Sequence, residues 1–107
     1  LTPRLAASGT ARLRGEALLV QADALLLLAA GRRGEAETHA TLLREVLVVL
    51  DGAAAEFGAV AELNPLRRCH YLLARVHHQL GNLADRDGHA TRFRQLSELL
   101  SGQGSRE

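Results

Sequence analysis

The sequence has no Lys, Met, Ile or Trp, two prolines, and one cysteine, Cys69. A single Cys forms no internal disulfide, which fits a reducing compartment. Aromatics make up 3% of the chain and Val is sparse, so strand-favouring residues are scarce. The longest apolar run, Ala24 to Ala30, is seven residues, against about 20 for a membrane span. It reads as part of a helix buried on most sides, and no membrane partner is expected. The net charge of +1 provides no global field for nucleic acid or acidic membranes. All 13 basic residues are Arg, a bias that looks like GC-rich coding rather than selection for guanidinium chemistry. The chain begins at Leu1 without any Met, so a fragment or processed form of a longer protein is expected. Its first residues lack the basic-then-apolar layout of a signal peptide, and an intracellular location, nucleus or cytoplasm, is expected.

What the chain does contain is 22 Leu and 18 Ala, within a hydrophobic content of 47%. These are the two strongest apolar helix formers, and they argue for an all-α fold before any pattern is read. A length of 107 residues allows one small domain. Thr2-Pro3 can cap and start a short helical turn, which Ser8-Gly9-Thr10 then interrupts. A first long helix is expected over 11–30, or from nearer Glu16 because Gly15 weakens its start. Its apolar stripe is Leu13, Ala17, Val20, Ala24, Leu27 and Leu28. Gly31 is placed as a left-handed terminator. A second helix over 35–57 carries Ala36, Ala40, Leu43, Val46 or Leu47, and Leu50, with a possible break at Gly52. Asn64-Pro65 reads as cap and first turn of a third helix to Leu80, with Cys69, Leu72, Leu73, Val76 and Leu80 facing inward. Gly81 ends it. A fourth helix over 83–101 carries Ala90, Phe93, Leu96, Leu99 and Leu100, with Asn82 and Asp85 as a capping pair. The polar tail 102–107 is expected to fray.

The chain resembles itself at an offset of 50 residues. Gly31 then meets Gly81, Ala24 meets Ala74, and His39-Ala40-Thr41 meets His89-Ala90-Thr91. Leu43, Arg44 and Val46 meet Phe93, Arg94 and Leu96. Two antiparallel hairpins, about 11–57 and 64–101, follow from this register. Each needs small residues where its helices approach and a Gly at the turn. The placing of Ala24, Ala74 and Ala36 around the turns resembles the small packing positions of tetratricopeptide repeats, whose period is about 34 residues. The longer offset implies longer helices or a longer linker, and two units suggest part of a longer array.

From Leu73 to Leu100 the sequence reads LARVHHQLGNLADRDGHATRFRQLSELL. This run resembles the C-terminal helical hairpin of the anaphase-promoting complex subunit 5 family. The residues that carry the resemblance are Leu73, Ala74, Arg75, His78, Leu80, Gly81, Arg86, Phe93, Arg94, Gln95 and Leu96. It covers about a quarter of the chain; the first hairpin matches only a generic tetratricopeptide-like unit. The resemblance implies a non-catalytic scaffold within a ubiquitin ligase that controls mitotic exit, with other subunits of that complex as partners. The alternative is a free-standing tetratricopeptide-like peptide-binding module of a regulatory protein. Its groove would be lined by the first and third helices, with Arg75 and His78 facing in.

Chemistry-bearing patterns are few. His70 and His77 lie seven apart on one helical face, but zinc needs further ligands and no Cys-x-x-Cys or His-Glu-x-x-His pattern occurs. Surface or groove-lining roles are expected for these two and for His78 on the same helix, and packing or capping for the repeat-equivalent His39 and His89. Arg67, Arg68, Arg75, Arg86, Arg92 and Arg94 make the second half locally basic. Asp85, Asp87, Glu98 and Glu107 offset this in part, and only Tyr71 and Phe93 are at hand for base stacking. A solvated face with ion pairs is the plain reading, and a partner's acidic surface its best functional use. Cys69 and His70 diverge as helix neighbours and make no dyad. Gly31 and Gly34 are not followed by Lys-Ser or Lys-Thr. No catalytic residue, metal, cofactor or small-molecule substrate is expected. Tyr71, Arg75 and His78 are the candidate partner-binding residues; Phe57, near the end of the second helix, either caps the core or joins Tyr71 as an anchor.

Overall fold

The computed structural model describes residues 3–105, with side chains from Gly9 to Gly102. The Leu- and Ala-rich stretches form four helices: α1 (Pro3–Ala30), α2 (Ala36–Ala59), α3 (Leu63–Leu80) and α4 (Leu83–Ser105), and no strand occurs among the described residues. Each helix packs mainly on its sequence neighbours, α1 on α2, α2 on α3 and α3 on α4. The result is a slab of 48 × 31 × 20 Å. Thr2, read as a cap, and Arg106 and Glu107 of the tail lie outside the described residues.

Several boundaries differ from expectation for local reasons. Pro3 opens α1, where its missing N–H costs nothing. Ser8-Gly9-Thr10 does not interrupt the helix, and Gly52 does not break α2. Gly52 is small because α1 runs close: a Cβ there would lie 3.3 Å from Leu18 Cδ1. Gly102 is likewise helical, since α4 extends to Ser105. Helix α3 starts at Leu63 with Glu62 before it, and Pro65 falls in the first turn. Asn64 therefore does not cap; its Oδ1 accepts a bond from Arg67 Nη2 at 3.0 Å. Asn82 and Asp85 form no capping box, because both side chains turn to His77, at 3.1 and 4.0 Å.

The helix ends show which turns need the left-handed region. Gly81 has φ 81°, and the N–H groups of Gly81 and Asn82 donate to the carbonyls of His78 and His77. That is the Schellman arrangement for which Gly is suited. Gly31 does not use it, since its φ is not positive. Ala61, with φ 54°, occupies the corresponding place after α2, while its N–H and that of Glu62 donate to Gly58 and Phe57. A side chain there is strained by roughly 1–2 kcal/mol.

The core has two parts. One joins Ala22 and Ala29 of α1, Leu43, Val46 and Leu50 of α2, and Leu72, Leu73 and Val76 of α3. The other joins Ala53 and Phe57 of α2, Leu66 and Cys69 of α3, and Leu96 of α4. The expected stripe of α3 is buried at Cys69, Leu72, Leu73 and Val76 and half-buried at Leu80. On α2 Leu43, Val46 and Leu50 are buried but Ala36 is exposed, and on α4 Leu96 is buried while Leu99 is exposed.

On α1 the expected face is the wrong one. Leu13, Val20, Leu27 and Leu28 are 63%, 69%, 76% and 56% exposed, and Ala17 and Ala24 are exposed with them. The buried face is Ala11, Gly15, Ala22 and Ala29, flanked by half-buried Leu18, Leu19, Leu25 and Leu26. The cause is steric. Gly15 meets Phe57, whose ring atoms would lie 2.8 to 2.9 Å from a Cβ at position 15. Only small residues let α1 approach the bulky side chains of α2. Beside this contact, Arg14 donates to Glu56 through Nε at 3.0 Å and Nη2 at 3.1 Å. That bond holds the Glu56 carboxyl below its usual pKa range.

Candidate functional site: the groove between α3 and α4

Arg67, Tyr71, Arg75 and His78 follow one another at spacings of four, four and three along α3. They share a face turned away from the Leu72–Val76 core stripe. Small residues on both helices, Ala74 and Ala90, leave room between that face and α4. The groove so formed has a volume of about 450 Å³ and is lined by Tyr71, Ala74, Arg75, His78, Arg86 and Phe93, among others. It continues toward the start of α3 as an open trough of about 670 Å³, which adds Arg67 and Arg68 and shares Tyr71 and Phe93.

Tyr71 and Phe93 pack with ring centroids 5.6 Å apart at 45°. Arg67 lies over the Phe93 ring at 5.9 Å and Arg75 over the Tyr71 ring at 5.7 Å. Such cation–π placement holds a guanidinium over a ring while its N–H groups point outward; one of those of Arg67, on Nη2, donates to Asn64 Oδ1. Arg86 is anchored instead: its Nη1 donates to His78 Nδ1 at 2.9 Å, and its Nη2 sits 2.9 Å from Asp87 Oδ1. Arg68 reaches Asp23 of α1 at 3.6 Å. The three candidates Tyr71, Arg75 and His78 thus line one groove. Phe93, expected as part of the α4 core stripe, is half-buried and forms its aromatic wall. The spacing of Arg67, Tyr71 and Arg75 was the available signal for this face. Nothing local in α4 marked Arg86 or Phe93 as facing it.

Other expected groups fall elsewhere. Phe57 is wholly buried in the second part of the core, as its core-capping reading expects, and does not anchor a partner. Cys69 is buried in the second part of the core, and burial pushes its thiol up to about 11. The cleft between the first and third helices is small, about 170 Å³, with Arg75 in its lining but not His78. Arg75 and His78 come together instead in the α3–α4 groove.

Opposite the groove, His70 and His77 share a face as expected, and α4 brings His89 to them. The Nδ1 atoms of His70 and His89 are 2.9 Å apart, so one ring donates to the other and both cannot carry a proton there. His77 stacks on His89 with centroids 5.4 Å apart at 8°. Burial first, then the neighbouring imidazole, lowers the pKa of both His70 and His89. Among the described residues no three His, Cys, Asp or Glu side chains are disposed to hold a metal ion. His39 differs from its repeat equivalent His89: its Nδ1–H donates to the Ala29 carbonyl at 2.7 Å and ties α2 to the end of α1.

Among the described residues, no helix is long and apolar enough to cross a membrane. Compared with family models, with curated proteins and with solved structures, the chain matches none.

Proposed function

We propose that this chain is a non-catalytic scaffold segment that mediates protein–protein contacts, built as two hairpins of a tetratricopeptide-like array. The observation that carries this reading is the outer face of α1. Leu13, Val20, Leu27 and Leu28 form an apolar stripe that the described residues leave exposed. Contiguous exposed apolar surface of this kind marks interaction surfaces. Neighbour-to-neighbour packing of the four helices is compatible with such an array. The specific assembly we propose is a ubiquitin ligase of the anaphase-promoting type, because the resembling run, Leu73 to Leu100, covers the second half of α3, the Gly81 turn and most of α4. The free-standing peptide-binding module is the second reading, favoured by the α3–α4 groove.

The test is affinity purification of the tagged full-length protein and of its Val20→Glu/Leu27→Glu variant. The scaffold reading expects defined subunits with the parent and their loss with the variant. Recovery of subunits unrelated to a ubiquitin ligase would remove the specific assembly. Identical recoveries from parent and variant would remove the α1 face as the contact.

A further inference from the structure

The α3–α4 groove is electrostatically one-sided. The residues that line its two parts include Arg67, Arg68, Arg75, Arg86 and His78, and no carboxylate. Two of these cations are already matched, Arg86 by Asp87 and Arg68 by Asp23. Arg67 and Arg75 are not: among the described residues neither has a carboxylate at ion-pair distance. Each is held over a ring instead, Arg67 over Phe93 and Arg75 over Tyr71. The two guanidinium groups flank an aromatic wall, with Ala74 and Ala90 leaving an apolar recess beside it.

We infer that this groove docks an acidic segment of a partner protein, one apolar or aromatic side chain seated in the recess over Ala74 and Ala90 and carboxylates paired with Arg67 and Arg75. The inference rests on the scaffold reading and names the chemistry of one partner. Guanidinium groups pre-placed on rings lose little further freedom when they pair bidentately with a carboxylate. Charge complementarity decides the class of occupant. A single-stranded nucleic acid also carries negative charge, but it needs open ring faces on which to stack. Here the two rings pack on each other at 5.6 Å, and each lies under a guanidinium. One face of each ring lies under a guanidinium, which reduces the stacking surface left for a base, whereas Arg67, bonded only to the neutral Asn64 amide, and Arg75 have no carboxylate of their own among the described residues.

The test uses the whole chain and a Glu-rich peptide of about twelve residues with one central Phe, a length that spans such a groove when extended. Three controls accompany it: the same peptide with Lys for Glu, the Glu-rich peptide without Phe, and an oligothymidylate of similar length. Binding is read by fluorescence anisotropy and mapped by backbone and Arg Nε–H chemical shifts. The expected result is shifts confined to residues of the groove. Affinity should fall about ten-fold in Arg75→Glu and further in Arg67→Glu/Arg75→Glu, with weakening as salt rises. Loss of the Phe should weaken binding, and Ala90→Leu, which fills the recess, should do the same with every charge retained. Circular dichroism checks that each variant folds. Absent binding, shifts elsewhere, binding unchanged in both Arg variants, or tighter binding of the oligothymidylate overturns the inference. The scaffold reading is tested separately by Val20→Glu/Leu27→Glu, which leaves the groove intact. Partner capture lost in that variant while the acidic peptide fails to bind would remove the groove inference alone.

Discussion

The contact between Gly15 and Phe57 permits a sign test of the packing of α1. Replacing Gly by Ala inside a helix ordinarily stabilises it by about 1 kcal/mol. At position 15 the added Cβ would lie 2.8 Å from Phe57 Cζ and 2.9 Å from Cε1 and Cε2. The ring is wholly buried, in one cluster with Ala53, Leu66, Cys69 and Leu96, so it is not the free end of a flexible side chain. Overpacking of this kind costs about 1–3 kcal/mol. Gly15→Ala is therefore expected to lose about 1 kcal/mol net, seen as a fall in melting temperature of about 4 °C. Gly88 in α4 is the control: it is exposed, helical, and has nothing within 4 Å of a Cβ position. Gly88→Ala should raise stability by about 0.5–1 kcal/mol. Phe57→Leu should relieve the clash, so that Gly15→Ala/Phe57→Leu is more stable than the sum of its parts by about 1 kcal/mol. Urea unfolding of the four variants measures all of this. If Gly15→Ala stabilises as much as Gly88→Ala, α1 does not meet α2 at Phe57 and the buried face of α1 is misassigned.

Three further outcomes are expected. On the outer face of α1, Val20→Ser and Leu27→Ser should each change stability by no more than about 0.5 kcal/mol, whereas Ala22→Leu, at a wholly buried position, should cost about 1–3 kcal/mol; equal losses in urea unfolding would contradict this. The lowered pKa of His70 and His89 makes stability depend on pH. They sit among His77, Arg92, Asp51 and Asp85, and the carboxylates oppose the lowering. As pH falls through about 6.5 the unfolded chain takes up protons that these rings resist in the fold, so stability present above that pH is lost below it. Urea midpoints should fall from neutral to mildly acidic pH and fall less in His89→Gln; a flat profile in the parent would count against the imidazole cluster. Finally, Cys69 is buried with its thiol raised to about 11, so an aromatic disulfide reagent at mildly alkaline pH should label it slowly in buffer and rapidly in denaturant. Immediate labelling of the folded chain would place the thiol outside the core.

How much of this was legible in the sequence depended on how many faces of each helix were apolar. Helix α3 has one: Leu66, Cys69, Leu72, Leu73 and Val76 are buried, while Arg67, Arg68 and Tyr71 with Arg75 occupy other sides. Its stripe and its terminator Gly81 were readable for that reason. The candidate residues Tyr71, Arg75 and His78 were readable as one face of that helix. Their groove was not, because its far wall comes from Phe93 and Arg86, and tertiary docking alone sets where α4 lies. Caps were less legible than the helices they flank. Asn64 and Asn82 look like caps, but each finds a side-chain partner, in Arg67 and His77.

Helix α1 presents the harder case, because hydrophobicity points to the wrong side of it. Both faces are apolar, and the outer one carries the larger side chains. Rotating α1 by half a turn would set Leu13, Val20 and Leu27 against α2 in place of Ala11, Gly15 and Ala22. Phe57 forbids that rotation: it already requires the absence of a Cβ at position 15, and Gly52 is close to Leu18 for the same reason. The Arg14–Glu56 and Asp23–Arg68 pairs hold the observed rotation from the two edges of the inner face. Volume, then, and not hydropathy, selects which side of α1 is buried. The Leu and Val side chains left outside stay more than half exposed and contribute little to packing among the described residues. Covering each would stabilise a complex by up to roughly 1.5–3 kcal/mol before the costs of association. An apolar stripe that steric fit has excluded from its own core is surface available to another chain or another helix of the same array.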